Sequence, residues 1–358
     1  MSSKIKVGIV FGGRSAEHQV SLQSANSIIN AIDRTRYEPV LIGITKNGEW
    51  LLNESTACLL NSDNPETIEL NNADGQSVTL IAGQNRGEVM PTGSGATMSR
   101  IDVLFPVLHG PYGEDGSIQG LAKLANIPCV GSGIIGSALG MDKDFAKRLL
   151  KLAGLSVADY VMVRNGELSD ALIDQIEQRL GYPAFVKPAN MGSSIGVSKI
   201  NNRDELIAAV LLAAKHDRKV LVEEAISGRE IECAVLGNDE PHASICGEIA
   251  SHHGFYDYTS KYINAEGAEL IIPASLSAQQ QQRIQQVALQ AFMALDCRGL
   301  SRVDVFLTPE DDIVVNEINT IPGFTKISMY PKLWEHSGIS YSDLIDQLIQ
   351  LAIDDFSA

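Results

Sequence analysis

Two carboxylates and a carboxamide fall close together late in the chain: Asp304 in Ser301-Arg-Val-Asp-Val-Phe-Leu307, and Glu317 and Asn319 in Ile313-Val-Val-Asn-Glu-Ile-Asn319. Both stretches read as strands of one hairpin, turning at residues 309–312. Side chains alternate faces along a strand, so Glu317 and Asn319 share a face, roughly 6–7 Å apart, with Asp304 within reach across the ladder. An all-oxygen donor set of this kind suits Mg2+ or Mn2+ rather than zinc, and a bidentate Glu317 would bridge two ions. The same residues would also serve as the solvated face of an edge hairpin. The apolar Val303, Val305, Val314 and Ile318 around them weigh against plain solvation but leave both readings open.

Three glycine-bearing segments add possible chemistry. Asn190-Met-Gly-Ser-Ser-Ile-Gly196 follows a strand ending at Lys187 and offers backbone N–H groups and hydroxyls of the kind that cradle phosphate, or else it is an ordinary turn. Glu17 and His18 lie at a helix start beside the C-terminal end of a strand, the edge where open α/β sheets bind ligands, although a glutamate there also simply complements the helix dipole. His109-Gly-Pro-Tyr-Gly-Glu-Asp-Gly-Ser-Ile-Gln-Gly120 packs four glycines among His, Glu and Asp, more backbone exceptions than a structural loop needs. The chain has no G-x-x-x-x-G-K-[ST] segment and no H-R-D or D-F-G, so any nucleotide is held by another architecture. Gly12-Gly13-Arg14-Ser15 after the first strand does not fit G-x-G-x-x-G, which argues against a dinucleotide oxidoreductase.

The elements that must position these residues read as a mixed α/β chain. The opening strand (4–11), the helix that follows with Leu22, Ala25, Ile28, Ile29 and Ile32 on one face, and strands at 38–44 and 102–108 predict an open parallel sheet. Residues 53–99 are polar and rich in Asn, Gly and Thr, and read as an insertion with weak strands. After Gly131-Ser132-Gly133 come a helix (144–152), a strand (158–163), a helix (169–180), a strand (184–187), a helix (203–214) and a strand (220–223). Antiparallel-looking strands follow at 231–236, 242–250 and 269–273, with an aromatic loop at 251–267 before the last. A helix at 278–295, the acidic hairpin and a helix at 343–353 complete the chain.

The length, 358 residues with 44% hydrophobic, supports more than one core, since single cores rarely exceed about 250–300 residues. A net charge of −16 repels phosphate backbones and anionic lipid, so neither nucleic acid nor a membrane is an expected partner. Five scattered cysteines with no C-x-x-C pair argue against a disulfide framework and a zinc site and for a reducing, cytoplasmic compartment. No apolar run is long enough to span a bilayer.

Together these pieces resemble the D-alanine–D-alanine ligases of the ATP-grasp superfamily. The resemblance runs over nearly the whole chain, from Phe11-Gly-Gly-Arg-Ser-Ala-Glu-His-Gln-Val-Ser-Leu22 to Pro322-Gly-Phe-Thr-Lys-Ile-Ser328. Its most specific parts are residues 109–120, Arg302-Val-Asp-Val-Phe306 and Asn316-Glu-Ile-Asn-Thr-Ile-Pro-Gly323, joined by Gly192-Ser-Ser-Ile-Gly196 and Phe255-Tyr-Asp-Tyr-Thr-Ser-Lys-Tyr262. It implies three domains: a substrate-binding α/β domain (1–131, with the insertion), and central (132–222) and C-terminal (223–358) subdomains whose two sheets clasp ATP, with a lid loop at 251–267.

The resemblance also implies roles. Lys143, Lys187 and Lys261 would bind the nucleotide phosphates, capped by Ser193 and Ser194. Glu223, Ala225 and Ile226 would read the adenine, and Glu230 would hold the ribose. Asp304, Glu317 and Asn319 would hold two Mg2+ or Mn2+ ions. Arg302 and the Gly323 N–H would stabilise a tetrahedral oxyanion, Glu17 and His109 would receive the first D-alanine, and Ser328 the second, where Lys326 also lies. Glu17, Ser193 and Tyr262 would tie the lid to the other domains. The implied reaction joins two D-alanines through an acyl phosphate, for peptidoglycan precursors. The alternative is a ligase using D-lactate or another D-amino acid at the second position, where relatives preferring D-lactate tend to carry Phe in place of Tyr262. A homodimer is the family's usual form.

Overall fold

The computed structural model describes residues 4–357, apart from 54, 63, 65–66, 72–74, 84–86, 93–98 and 252–267. Strand β1 (Ile5–Gly12), helix α1 (His18–Ala31) and strand β2 (Tyr37–Ile44) open the chain, followed by β3 (Trp50–Asn53), a small β4–β5 ribbon (Leu59–Leu60, Glu69–Leu70), β6 (Gln76–Leu80), β7 (Glu88–Pro91), β8 (Ser99–Arg100) and β9 (Val103–Val107). β1 lies between β2 and β9 and pairs with both in parallel. A central parallel strand is buried on both faces, which is why it is nearly continuously apolar; Val7, Ile9, Val10 and Phe11 are fully buried.

The expected insertion does more than interrupt this sheet. β3 pairs antiparallel with β2, and β6, β7 and β8 extend the edge, giving seven strands in the order β8-β7-β6-β3-β2-β1-β9. Its strands were faint in the sequence because few of their residues are buried; Val78, Leu80 and Val89 supply most of their hold on the core.

Helices α2 (Ser117–Leu124), α3 (Ile134–Met141) and α4 (Lys143–Leu152) come next. The glycine-rich segment 109–120 is therefore not all loop. Asp115 accepts the N–H groups of Tyr112 (2.8 Å) and Ser117 (3.0 Å), which closes the turn and starts α2. Helix α3 is not expected from the sequence, because its two glycines are poor helix formers. Tertiary packing requires one of them: a Cβ on Gly136 would lie 2.6 Å from the Asp296 carbonyl oxygen.

A four-stranded antiparallel sheet, ordered β10-β13-β11-β12, follows from β10 (Tyr160–Arg164), β11 (Ala184–Pro188), β12 (Ser198–Ile200) and β13 (Lys219–Glu224), backed by α5 (Asp170–Leu180) and α6 (Arg203–Ala213). A five-stranded antiparallel sheet comprises β14 (Arg229–Gly237), β15 (His242–Ser251), β16 (Ala268–Ile271), β17 (Gly299–Leu307) and β18 (Ile313–Asn319), ordered β16-β15-β14-β17-β18. Helix α7 (Ala278–Ala294), started by a Ser277–Gln280 capping box, buries Ile284, Ala288, Ala291 and Phe292 against one face.

The other face shares a core with the N-terminal sheet. Phe324 and α8 (Met329–His336), with Tyr330, Leu333 and Trp334, and α9 (Tyr341–Ser357), with Leu344, Leu348 and Ile349, pack among Val7, Ile9, Leu22 and Ile28. This joint core fixes the acidic hairpin relative to the β1 edge. Among the described residues no helix is long and apolar enough to cross a membrane.

Candidate active site

The two stretches pair as the hairpin the sequence predicts, with Asp304 opposite Glu317, Arg302 opposite Asn319 and a register shift between Asp304 and Val305. Val303 and Val305 point into the core beneath α7, which turns Arg302 and Asp304 to the other face. Asp304 is nonetheless only 2% exposed, so the plain solvated-edge alternative does not describe it. Asn319 donates its side-chain N–H to Asp304 Oδ2 at 2.9 Å. Arg302 donates to the same carboxylate through Nε and Nη2, both at 2.7 Å, and its Nε also lies 2.9 Å from Glu232 Oε2 on the neighbouring β14. Asp304 and Glu317 are register partners and Asn319 lies two residues along the same strand as Glu317, so the ribbon offers hard oxygen donors of the kind that fits magnesium or manganese.

Cations face this acidic ribbon from the four-stranded sheet and α4. Lys143 Nζ donates to the Met191 carbonyl at 2.8 Å and lies 3.9 Å from Glu317 Oε2. Lys187 Nζ donates to Glu223 Oε1 at 2.9 Å and reaches Asn316 Oδ1 at 3.5 Å. The second oxygen of Glu223 is 2.9 Å from Lys147 Nζ, so this carboxylate is shared by two ammonium groups. Burial works against ionised Glu223, but Lys187 and Lys147 outweigh it and hold its pKa below the usual carboxylate range. Burial likewise opposes the Lys187 ammonium, yet Glu223, with Glu317 and Glu230, keeps its pKa above that of an ordinary lysine. For Lys147 burial wins over Glu223, and the pKa is lowered.

The serine loop closes onto Glu17. Ser193 and Ser194 both sit in the left-handed region (φ 49° and 58°), a conformation costing about 1–3 kcal/mol per non-glycine residue and concentrated at ligand sites. Ser193 Oγ donates to Glu17 Oε1. A Cβ on Gly192 would stand 2.9 Å from Glu17 Oε2, so any larger residue there would displace the Glu17 carboxylate. Lys143 holds the loop from the other side through Met191.

His109 and Glu114 grip the Ile321 peptide between them. His109 Nδ1 donates to the Ile321 carbonyl at 3.0 Å, and Glu114 Oε1 accepts the Ile321 N–H at 3.1 Å while its Oε2 accepts the Gly110 N–H at 2.7 Å. Burial is the main cause of a lowered His109 pKa, so the imidazole is neutral, and its Nε2 has no hydrogen-bond partner among the described residues. That leaves a buried acceptor for an ammonium group. Burial, then the neighbouring Glu17 carboxylate, push the Glu114 pKa up to about 8. Two residues past Ile321, Gly323 lies against Ser328: a Cβ there would be 3.1 Å from Ser328 Oγ. Ser328 Oγ accepts the Thr325 N–H at 3.1 Å and precedes α8.

Of the residues singled out in the sequence, Glu17, Ser193, Ser194, His109, Lys143, Lys187, Arg302, Asp304, Glu317, Asn319, Gly323 and Ser328 gather around this region. The Glu223 side chain is occupied by the two lysines, Ala225 and Ile226 follow the end of β13, and Glu230 lies on β14 opposite Phe306. Lys261 and Tyr262 lie outside the described residues, as does nearly all of the expected lid loop.

Sequence reasoning passed over Lys147, Glu232 and the brace role of Glu114. The first two carried a signal: Lys147 is one helical turn beyond Lys143, and Glu230 and Glu232 alternate in an otherwise apolar strand.

Two family models match the chain, described as D-ala D-ala ligase N-terminus over residues 6–132 and D-ala D-ala ligase C-terminus over residues 149–350. A D-alanine–D-alanine ligase of Shouchella clausii is 54% identical over 352 residues, covering 98% of this chain and 95% of that protein. D-alanine–D-alanine ligase A of Escherichia coli is 49% identical over 355 residues, covering 99% and 97%. The solved structure of the D-alanine–D-alanine ligase from Coxiella burnetii, 36% identical, aligns with a TM-score of 0.86 over 99% of this chain and 96% of that one. That of the VanG D-Ala:D-Ser ligase from Enterococcus faecalis, 40% identical, has the same TM-score over 98% and 100%. An acidic ribbon facing two lysines, a strained serine loop on Glu17, and whole-length likeness at about half identity lead to one conclusion: this chain belongs to the D-alanine–D-alanine ligase family.

Proposed function

We propose that this enzyme uses ATP to join two D-alanines into D-alanyl-D-alanine, a peptidoglycan precursor, in the cytoplasm. The observation that carries the reading is the grip of His109 and Glu114 on Ile321, which brings the substrate-side loop within two residues of both Asn319 and Gly323. A site that reacts a small amino acid with a nucleotide phosphate needs both held in one place.

In the first step a carboxylate oxygen of one D-alanine attacks the γ-phosphorus of ATP, and ADP leaves. Glu17 and the neutral His109 Nε2 receive that alanine's ammonium, and Lys143 and Lys187 counter phosphate charge under the cap of Ser193 and Ser194. In the second step the amine of the other D-alanine, having lost its proton, attacks the acyl carbon and phosphate departs. Arg302 and the Gly323 N–H stabilise the tetrahedral oxyanion, and Ser328 receives the second carboxylate. Asp304, Glu317 and Asn319 would hold two Mg2+ or Mn2+ ions, which when bound neutralise charge on the transferring phosphoryl group. Glu223, Ala225 and Ile226 would meet the adenine and Glu230 the ribose. We keep three units, 1–131, 132–222 and 223–358, as the working division, and a homodimer as the assembly.

The test is phosphate release with D-alanine alone, then with D-serine or D-lactate added, repeated for Glu317→Gln. D-alanine alone should support turnover, and the substitution should nearly abolish it. Turnover that requires D-lactate or D-serine would overturn the assignment.

A further inference from the structure

The Arg302 guanidinium is shared between two buried carboxylates on adjacent strands. Its Nε faces both Asp304 Oδ1 (2.7 Å) and Glu232 Oε2 (2.9 Å), and its Nη2 holds Asp304 Oδ2 (2.7 Å). Glu232 and Asp304 are register partners in the β14–β17 ladder, and their side chains are each 3% exposed. Asp304 is thereby engaged on both oxygens, since Asn319 also donates to Oδ2. Resting on the function proposed above, Asp304 has to serve a divalent ion while Arg302 serves the oxyanion. A bidentate Arg–carboxylate pair in a dry site is among the stronger polar contacts, so ion and arginine compete for Asp304.

We propose that Glu232 is a positioning residue that retains Arg302 when Asp304 turns to the metal. It is the one carboxylate of this group that keeps the guanidinium beside the strand without itself facing Glu317 across the β17–β18 ladder. Without its charge Arg302 settles wholly on Asp304, which weakens the hold on the ion and pulls the guanidinium away from the reacting carbon. No role for Glu232 follows from the motif residues; it follows from the ion pair it makes with the guanidinium that is hydrogen-bonded to Asp304.

Mn2+ retention, read from the free-ion electron paramagnetic resonance signal, tests this with the full chain and a non-hydrolysable ATP analogue. Glu232→Gln should weaken retention about tenfold. Arg302→Met should tighten it, and adding Glu232→Gln to Arg302→Met should cost far less than it does in the parent. Glu232→Asp, which keeps the charge, should recover most of the loss. In turnover assays Glu232→Gln should lower kcat while leaving KM for D-alanine nearly unchanged. An equal loss of Mn2+ with and without Arg302 would reduce Glu232 to a distant field effect and overturn the proposal, as would unchanged retention in Glu232→Gln. If Glu232→Gln does not fold, Glu232→Ala, which also removes the charge, carries the same comparison. Parent enzyme that turns over D-alanine yet retains no Mn2+ would overturn the metal assignment and this proposal with it. Parent enzyme that retains Mn2+ but makes no dipeptide would overturn only the assigned reaction.

Discussion

Two buried charge triads face each other in this enzyme, and they are mirror images. On the side of the four-stranded sheet one anion, Glu223, lies between two cations, Lys147 and Lys187. On the ribbon side one cation, Arg302, lies between two anions, Glu232 and Asp304. Each triad leaves one unit of charge over, positive where phosphates are proposed to bind and negative where divalent ions are. Odd-numbered clusters of this kind are held together by their shared central group yet remain incomplete until a ligand of opposite sign arrives. An even, fully matched set would gain little from either ligand.

The central group of a triad should matter most, which the ribbon side tests first. Arg302→Met removes the proposed oxyanion donor and the cation that Glu232 and Asp304 share; kcat should fall about 10²–10³-fold in steady-state assays. A milder loss would mean that Gly323 carries the oxyanion largely alone. On the side of the four-stranded sheet, Lys147→Met leaves a buried carboxylate to Lys187 alone. The cost should be about 3–5 kcal/mol in urea unfolding, with a higher KM for ATP as Lys187 is drawn toward Glu223.

Glu114 belongs to neither triad and serves as the control between them. Its carboxyl titrates near 4.5 when unfolded and at about 8 when folded, so the folded state favours the protonated form. The associated stability is complete below about pH 4.5 and is lost as pH rises toward about 8. Glu114→Gln should flatten that part of the unfolding-midpoint profile between pH 5 and 8. The smallest effect belongs to an exposed cluster on the four-stranded domain, where Arg179 and Lys151 flank Asp159. There Arg179 is the main cause of an Asp159 pKa lowered to about 2. Arg179→Ala should cost less than about 1 kcal/mol at neutral pH, and less still at high salt, because water already solvates these charges.

Much of the molecule was legible in the chain itself. The parallel β1-β2-β9 core, the α7 stripe and the β17–β18 hairpin follow from the apolar period and from alternation along a strand, which are local properties. Type and spacing singled out Glu17, His109, Ser193, Asp304, Glu317 and Asn319, and the family resemblance then implied their roles. Tertiary structure alone decided which charges are shared. That Lys147 and Lys187 meet on Glu223, that Arg302 divides itself between Glu232 and Asp304, and that Ile321 is gripped from 207 and 212 residues away depend on how separate sheets and loops face one another. Burial sets the strength and direction of those pairings, and burial is a property of the assembled cores, not of any stretch of sequence.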